Sequence, residues 1–275
     1  MSSDNRGSAE ARRRDELEER VLSESAPRID LLPEVVEGTI HAERTPSHVP
    51  ILGPSSDLID WAAFLPPHAH SFRWQFAQRV KRLIDITVSA VGLVLLLPVF
   101  VVLPILIRLT SRGPGYYRWH VLGQYARSFR GYKFRSMVLD ADGLKEGMEH
   151  LNHMEGPAFK IRNDPRVTRV GRFLRKFSID ELPQLWSVFK GDMSLVGPRP
   201  PFPEEYERFK PWHRTKLAVK PGITCLWQIS GRSDIHDFED WAELDMKYIR
   251  EWSLWLDLKI LLRTIPVVIR GSGAY

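Results

Sequence analysis

The chain has 275 residues, 43% of them hydrophobic, and a formal charge of +5. That length buries one sizeable core with room for appendages, and a lone cysteine, Cys225, excludes an internal disulfide framework. The surplus of positive charge points to an anionic partner, whether nucleic acid, an acidic membrane surface or a phosphorylated substrate.

The first stretch, MSSDNRGSAEARRRDELEER, has no apolar segment behind its basic residues, so no signal peptide is expected. Charge, proline and serine continue with only short apolar patches such as Leu31-Leu32. Residues 1–75 are therefore assigned to a largely disordered or loosely docked extension, with one short helix from Glu10 to Ser23. No internal repeat is present, which disfavours solenoids and propellers.

From Ile86 to Ile107 the sequence ITVSAVGLVLLLPVFVVLPILI carries no charge for 22 positions, about the length a helix needs to cross a hydrocarbon core. We assign residues 76–112 to a membrane-inserted segment. Pro98 and Pro104 each remove a backbone donor inside the run, and a bend is expected at Pro98. Arg79, Lys81 and Arg82 precede the run, and Arg108, Arg112 and Arg118 follow it. Basic residues near membrane helices mark the cytoplasmic side, so both ends claim the same face and the segment is predicted to be re-entrant. Asp85 is expected at the interface, paired with Arg82 or Arg118.

Residues 113–275 follow as one domain. Tyr116 to Val121 and Ser128 to Phe134 are aromatic and β-branched segments around a Gly123-Gln124 turn, and predict a β-hairpin. Helices are expected at residues 140–152, 170–176, 180–189, 203–217, 237–250 and 254–269. The fold class is α+β, mostly α, with a proline-bent helix, a small hairpin and amphipathic helices. Trp241, Trp252 and Trp255 fit a membrane interface and ordinary core packing equally well.

The stretch Ser178 to Pro200, SIDELPQLWSVFKGDMSLVGPRP, carries the chemistry. Ser178-Ile179-Asp180-Glu181 fits a capping box, a structural role for the acid pair. Arg166, Arg169, Arg172, Arg175 and Lys176 lie upstream, however, and Lys190 and Arg199 lie downstream. Carboxylates in such a setting would repel a phosphate unless one attacks it or a divalent cation intervenes. Pro198 and Pro200 restrict the backbone around Arg199, which suits a fixed guanidinium; a simple helix stop is the other reading. Lys133 and Arg135 in YKFRSM are expected on one strand face, and Arg232 in SGRSD adds a further cation.

The order of KRLIDI, the proline-interrupted run, YKFRSM, the block from NDPRVTRV through VGPRP, KPGITCLWQISGRSD and the closing WLDLKILLRTIPVVIR resembles the bacterial sugar transferase family, the monotopic polyprenyl-phosphate phosphoglycosyl transferases. The resemblance covers residues 78–275 and implies a catalytic core at the cytoplasmic face of the bacterial inner membrane. It also implies transfer of a sugar 1-phosphate from a UDP-sugar to undecaprenyl phosphate, through a covalent aspartyl intermediate with release of UMP, as the first membrane step of exopolysaccharide or O-antigen synthesis. By motif match Asp180 is the nucleophile and Glu181 beside it holds Mg²⁺, with Asp180 contributing. Arg175, Arg199 and Arg232 lie near phosphate, Lys133 and Asp245 join the site, and Pro98 bends the membrane helix. The expected partners are the UDP-sugar, undecaprenyl phosphate and inner-membrane lipid, with a homodimer as a candidate assembly. The sugar is expected to be a hexose, galactose or glucose.

The chain departs from the family pattern at three places. Leu97 stands where many relatives have serine before the bending proline, Ala126 replaces a second glycine in the hairpin turn, and Cys225 replaces a glycine in the PGIT loop. A rival reading is a membrane-anchored basic protein that binds anionic polymers or scaffolds an assembly without catalysis. A nucleic-acid partner is not expected, because no binding motif accompanies the charge. Scattered histidines disfavour a zinc enzyme, and no phosphate-binding glycine loop is present.

Overall fold

The computed structural model describes residues 59–231 and 235–271. The expected helix from Glu10 to Ser23 and the predicted site residue Arg232 lie outside the described residues.

Helix α1 (Phe72–Leu95) starts where the Ser71 hydroxyl accepts from Trp74 N at 3.3 Å. It stops at Leu96, which leaves helical geometry (φ −92°, ψ 8°), and α2 (Leu97–Thr110) begins at once with Pro98 in its first turn. Proline is tolerated there because the first-turn N–H groups have no partner within the helix. The two helices are bent by 59°, so the expected bend is present and lies at Leu96, just ahead of Pro98. No single described helix is long and apolar enough to cross a membrane; only the bent pair together reaches that length and composition.

Pro104 stays inside α2 without breaking it. Its missing N–H would leave the Phe100 carbonyl without its helical donor, and the Tyr116 hydroxyl supplies one at 2.6 Å. Gly115 makes this close return feasible, since a Cβ there would lie 2.5 Å from Pro104 Cα. Tyr116 opens strand β1 (Tyr116–Leu122), which pairs antiparallel with β2 (Ser128–Phe134) in the register Tyr116↔Phe134 to Leu122↔Ser128. The expected hairpin is therefore present. Its turn passes through the left-handed region at Tyr125 (φ 61°) and Ala126 (φ 56°), so the conformation is kept without the second glycine.

Helix α3 (Arg169–Lys176), capped by Thr168, leads into a 3₁₀ turn (Ile179–Gln184) and then α4 (Leu185–Lys190). Strand β3 (Ser194–Val196) pairs parallel with β4 (Gly222–Thr224). Between them lie α5 (Pro203–Glu207) and a 3₁₀ helix (Pro211–Ala218). After them come α6 (Leu226–Ile229), α7 (Phe238–Glu251) and α8 (Leu254–Arg270). Three expected helices are corrected. Residues 180–189 begin as a 3₁₀ turn, with Pro183 inside it, and become α-helical only from Leu185. Residues 140–152 form turns and a 3₁₀ segment, Glu146–Leu151. Residues 203–217 break after Glu207, because Pro211 disfavours helical backbone at the residue before it and cannot donate into a continuing helix.

Helix α1 is fastened to the rest of the fold by polar groups. Lys81 Nζ lies 2.6 Å from Asp257 Oδ2 and 3.0 Å from the Val196 carbonyl. The Arg82 guanidinium donates to the carbonyls of Val188 and Phe189 at 2.6 and 2.7 Å, closing the end of α4. Asp85 is 3% exposed and accepts from Ser194 Oγ at 3.1 Å and Leu195 N at 2.9 Å. The expected pairing of Asp85 with Arg82 or Arg118 is thus corrected: the carboxylate satisfies strand β3. Asp257 is also 2.8 Å from the Tyr248 hydroxyl and 3.3 Å from Trp252 Nε1. A further cluster joins α2 (Phe100, Leu103, Ile107) to Phe134, Leu174, Ile179 and Leu182, which brings the second half of the bent pair against the segment that carries the acid pair.

The tryptophans divide. Trp241 is buried and stacks on Trp227 with centroids 4.4 Å apart, Trp252 is half-buried, and Trp255 is 71% exposed. On α8 the exposed Trp255 is accompanied by Leu258, Leu262, Ile265 and Ile269, so this helix presents an apolar outer face.

Asp257→Ala leaves Lys81 and Tyr248 without their shared carboxylate in a largely dry place. Removing one partner of such a pair is expected to cost about 3 kcal/mol, read as a lower unfolding midpoint of the detergent-solubilised chain.

Candidate active site

The acid pair sits on the 3₁₀ turn Ile179–Gln184. Ser178 just before it adopts left-handed geometry (φ 52°) and makes no side-chain cap, so the expected capping box does not form. Glu181 points instead across to the hairpin, where Lys133 Nζ meets Oε1 at 2.9 Å. Because a 3₁₀ turn rotates about 120° per residue, adjacent side chains diverge: Asp180 faces inward at 7% exposure while Glu181 remains half-buried.

Four cations surround this pair or back it. Lys133 lies 4.2 Å above the Trp119 ring, and that ring can cross the hairpin because its strand partner is Gly131, where a Cβ would come 2.3 Å from the indole nitrogen. Arg175, in the last turn of α3, donates through Nε to Ser136 Oγ at 3.1 Å, and its charge acts on Asp180. Arg199, between its two prolines, is gripped by Glu205, with NH1 3.0 Å from Oε2 and NH2 3.3 Å from Oε1. Glu205 also accepts from Phe202 N at 3.0 Å, which fixes the carboxylate at the start of α5. Behind Arg199, Lys216 Nζ contacts Asp245 Oδ2 at 2.5 Å, both almost fully buried.

The electrostatics follow from burial and spacing. Desolvation, and after it the Glu181 charge, push the Asp180 carboxyl up to about 6, while Lys133 and Arg175 pull it the other way. Burial opposes the Arg199 charge, yet Glu205 and Glu181 outweigh it and raise its pKa further. Burial raises the Asp245 carboxyl against the pull of Lys216 and Arg199, and burial raises the Cys225 thiol well above its ordinary value. Cys225 is 2% exposed.

Lys133, Arg175, Asp180, Glu181 and Arg199 lie within one another's electrostatic reach. Asp245 enters through the buried Lys216 and the field of Arg199, and Pro98 lies in α2 away from the acid pair. Arg135 is corrected: it lies beyond β2 and its guanidinium binds the Ser111 and Arg112 carbonyls, clasping the end of α2. Sequence reading missed Glu205, Lys216, Trp119 and Ser136. The signal for Glu205 was present, since a proline at the first helical position followed by acids marks a helix start. The other three depend on long-range pairing that no local pattern carries.

The fold and site together set a carboxylate pair among basic side chains, beside the second helix of a bent apolar pair. The family signature described as bacterial sugar transferase matches residues 76–271, and the chain belongs to that family. The galactosyl transferase CpsE of Streptococcus agalactiae serotype III is 49% identical over 194 residues, covering 70% of this chain and 43% of that protein. An undecaprenyl-phosphate galactose phosphotransferase of Salmonella typhimurium is 44% identical over 200 residues, covering 71% and 42%. The exopolysaccharide production protein ExoY of Rhizobium meliloti is 38% identical over 216 residues, covering 77% and 95%. The chain therefore spans less than half of the first two relatives and nearly all of the third.

A carboxyl group whose folded pKa stands above its unfolded value of about 4 holds its proton more tightly in the native state. Its ionisation between pH 4 and about 6 therefore lowers stability, and that loss is complete at pH 7. Asp180→Asn is expected to raise stability at pH 7.5 by about 1–3 kcal/mol, with the gain vanishing near pH 4, as thermal unfolding at the two pH values will show.

Proposed function

We propose that the chain transfers a sugar 1-phosphate from a UDP-sugar to undecaprenyl phosphate at the cytoplasmic face of the bacterial inner membrane. One observation carries this reading: a buried carboxylate, Asp180, under the opposing influence of Lys133 and Arg175 and beside a half-helix of the bent apolar pair. Burial strips water from the carboxylate and makes it a better nucleophile, while the cations keep most of it ionised near neutral pH. An Asp180 oxygen attacks the β-phosphorus of the donor, the bond from that phosphorus to the bridging oxygen breaks, and UMP leaves with the electron pair. The resulting acyl phosphate is attacked at the same phosphorus by an oxygen of undecaprenyl phosphate. The carboxylate departs, and a lipid diphosphate-linked sugar remains.

Arg175 and Arg199 are placed to take up charge that builds on the phosphoryl oxygens, and Glu205 holds Arg199 in orientation. Among the described residues there is no group of three or more metal-ligating side chains. Mg²⁺ is assigned to Glu181, with Asp180 contributing, on the motif match rather than on the present side-chain directions, since the two carboxylates leave the turn differently; it commonly takes one or two carboxylates together with substrate phosphate oxygens. Bound there, it would neutralise phosphate charge. Lys133 holds the Glu181 carboxylate at 2.9 Å.

The donor sugar is assigned as a hexose, galactose first and glucose second, in line with the names of the galactose and glucose phosphotransferase relatives. The bent pair α1–α2 is assigned as a re-entrant segment that enters and leaves by one face, and the apolar face of α8 as lying along the same interface.

Purified chain supplied with Mg²⁺, undecaprenyl phosphate and a panel of UDP-sugars should release UMP with one hexose donor, and Asp180→Ala should abolish release. UDP as the product would overturn the phosphoryl-transfer reading. Because the nucleophile must be ionised, kcat/KM should fall about tenfold per pH unit below about pH 6. Topology is checked with Gln75→Cys and Tyr125→Cys, against a background in which the native Cys225 is buried. Both new thiols should label from the cytoplasmic side, and labelling from opposite sides would exclude the re-entrant arrangement.

A further inference from the structure

A cationic cavity lies along α1, and neither Asp180 nor Glu181 lines it. It has a volume of about 360 Å³ and is walled by Trp74, Gln78, Arg79, Lys81 and Arg82 of α1, with Lys220 from the loop ahead of β4. Arg82 and Lys220, both in its wall, also lie close to each other beside Gly191: the point where a Gly191 Cβ would sit is 3.1 Å from Arg82 NH2 and 3.5 Å from Lys220 Nζ.

The charges around this cavity do not balance. Of the nearby carboxylates, Asp192 is paired with Lys190 at 2.9 Å and Asp257 with Lys81, while Asp85, in the cavity wall, accepts only from the neutral Ser194 and Leu195 and so offsets just one of the positive charges of Arg79, Arg82 and Lys220. Arg82 donates only to neutral carbonyls and keeps its full charge. Arg79 and Lys220 have no ion pair among the described residues. Burial, and next the Arg82 charge, lower the Lys220 pKa against the opposing pull of Asp85 and Asp192. The Trp74 indole N–H, also in the wall, is buried without an acceptor. Like charges and an unanswered donor held together in a half-dry cavity carry a standing penalty that an anion with several acceptor oxygens would remove.

The geometry points to a binding site for a phosphate-bearing anion between α1 and the Lys220 loop, separate from the transfer site. Two sources share this chemistry: the headgroup of an anionic phospholipid, which basic pockets at the base of membrane helices accept, and a free phosphate. The assignment does not rest on the transfer reaction and stands or falls apart from it.

The test uses the full chain in a neutral detergent. Unfolding midpoints are measured against increasing inorganic phosphate, short-chain phosphatidylglycerol, and short-chain phosphatidylcholine as the headgroup control. A saturable rise with phosphatidylglycerol beyond the control assigns a lipid headgroup; a rise with inorganic phosphate assigns a free anion. In either case Lys220→Gln should weaken the apparent affinity about tenfold, the size of one charge-assisted hydrogen bond. Arg79→Gln, on an exposed position, should weaken it in the same direction and serves if Lys220→Gln does not fold. UMP release by both variants at saturating substrates should match the parent chain. No saturable rise with either anion, or a rise that both variants retain in full, would overturn the site.

Discussion

The structure depends on how a helix built for an apolar environment is held by a polar domain. Three residues within one and a half turns of α1 do this, and each reaches a different element: Lys81 to Asp257 of α8, Arg82 to the end of α4, and Asp85 to the backbone of β3. Both elements flanking the chemistry are thereby tied to one helix, because α4 follows the acid pair directly and β3 runs into the loop that carries Arg199. Ion pairs of this kind seldom add much net stability, since desolvation offsets attraction, but they are specific about geometry. Apolar contacts along α1 could slide by a turn; a buried Asp85 with two donors cannot.

The second half of the bent pair completes the arrangement from the other side. Pro98, in the first turn of α2, removes no donor that the helix uses, whereas Pro104 removes one, and the fold answers that loss with the Tyr116 hydroxyl, the first residue of the hairpin that presents Lys133. The same α2 surface packs on Ile179 and Leu182, the immediate neighbours of Asp180 and Glu181. Burial of Asp180 is thus a consequence of where the bent pair docks, and its raised pKa is the electrostatic trace of that docking. Under the proposed reaction, a lipid-borne phosphate acceptor arriving along α2 would meet the carboxylate without passing through bulk water.

Much of the site was legible before any coordinates. The 22-residue uncharged run, the aromatic hairpin segments and the acid pair among arginines are local patterns whose periodicity or composition suffices to place them. The errors have a common cause. Arg135 looked like a cation of the site on one strand face with Lys133, and Asp85 like a partner of Arg82 or Arg118, yet Arg135 is consumed by the Ser111 and Arg112 carbonyls and Asp85 by strand β3, contacts that no local pattern carries. Ser178 fitted a capping box by spacing, but left-handed backbone at that residue and the pull of Lys133 on Glu181 removed both halves of it. The helices expected at 140–152 and 203–217 failed where turns or Pro211 outweighed apolar periodicity.

By itself the sequence determined which segments are too apolar for water, where prolines deny backbone hydrogen bonds, and that two carboxylates lie in a basic stretch, because these follow from side-chain chemistry and short-range sterics. Only the tertiary structure decided which carboxylate is buried, which cations serve the site and which are structural, and that Glu205 and Lys216 brace Arg199 and Asp245. Those outcomes depend on pairing across more than a hundred residues in some cases, and on desolvation, which arises only when the chain has closed around the group.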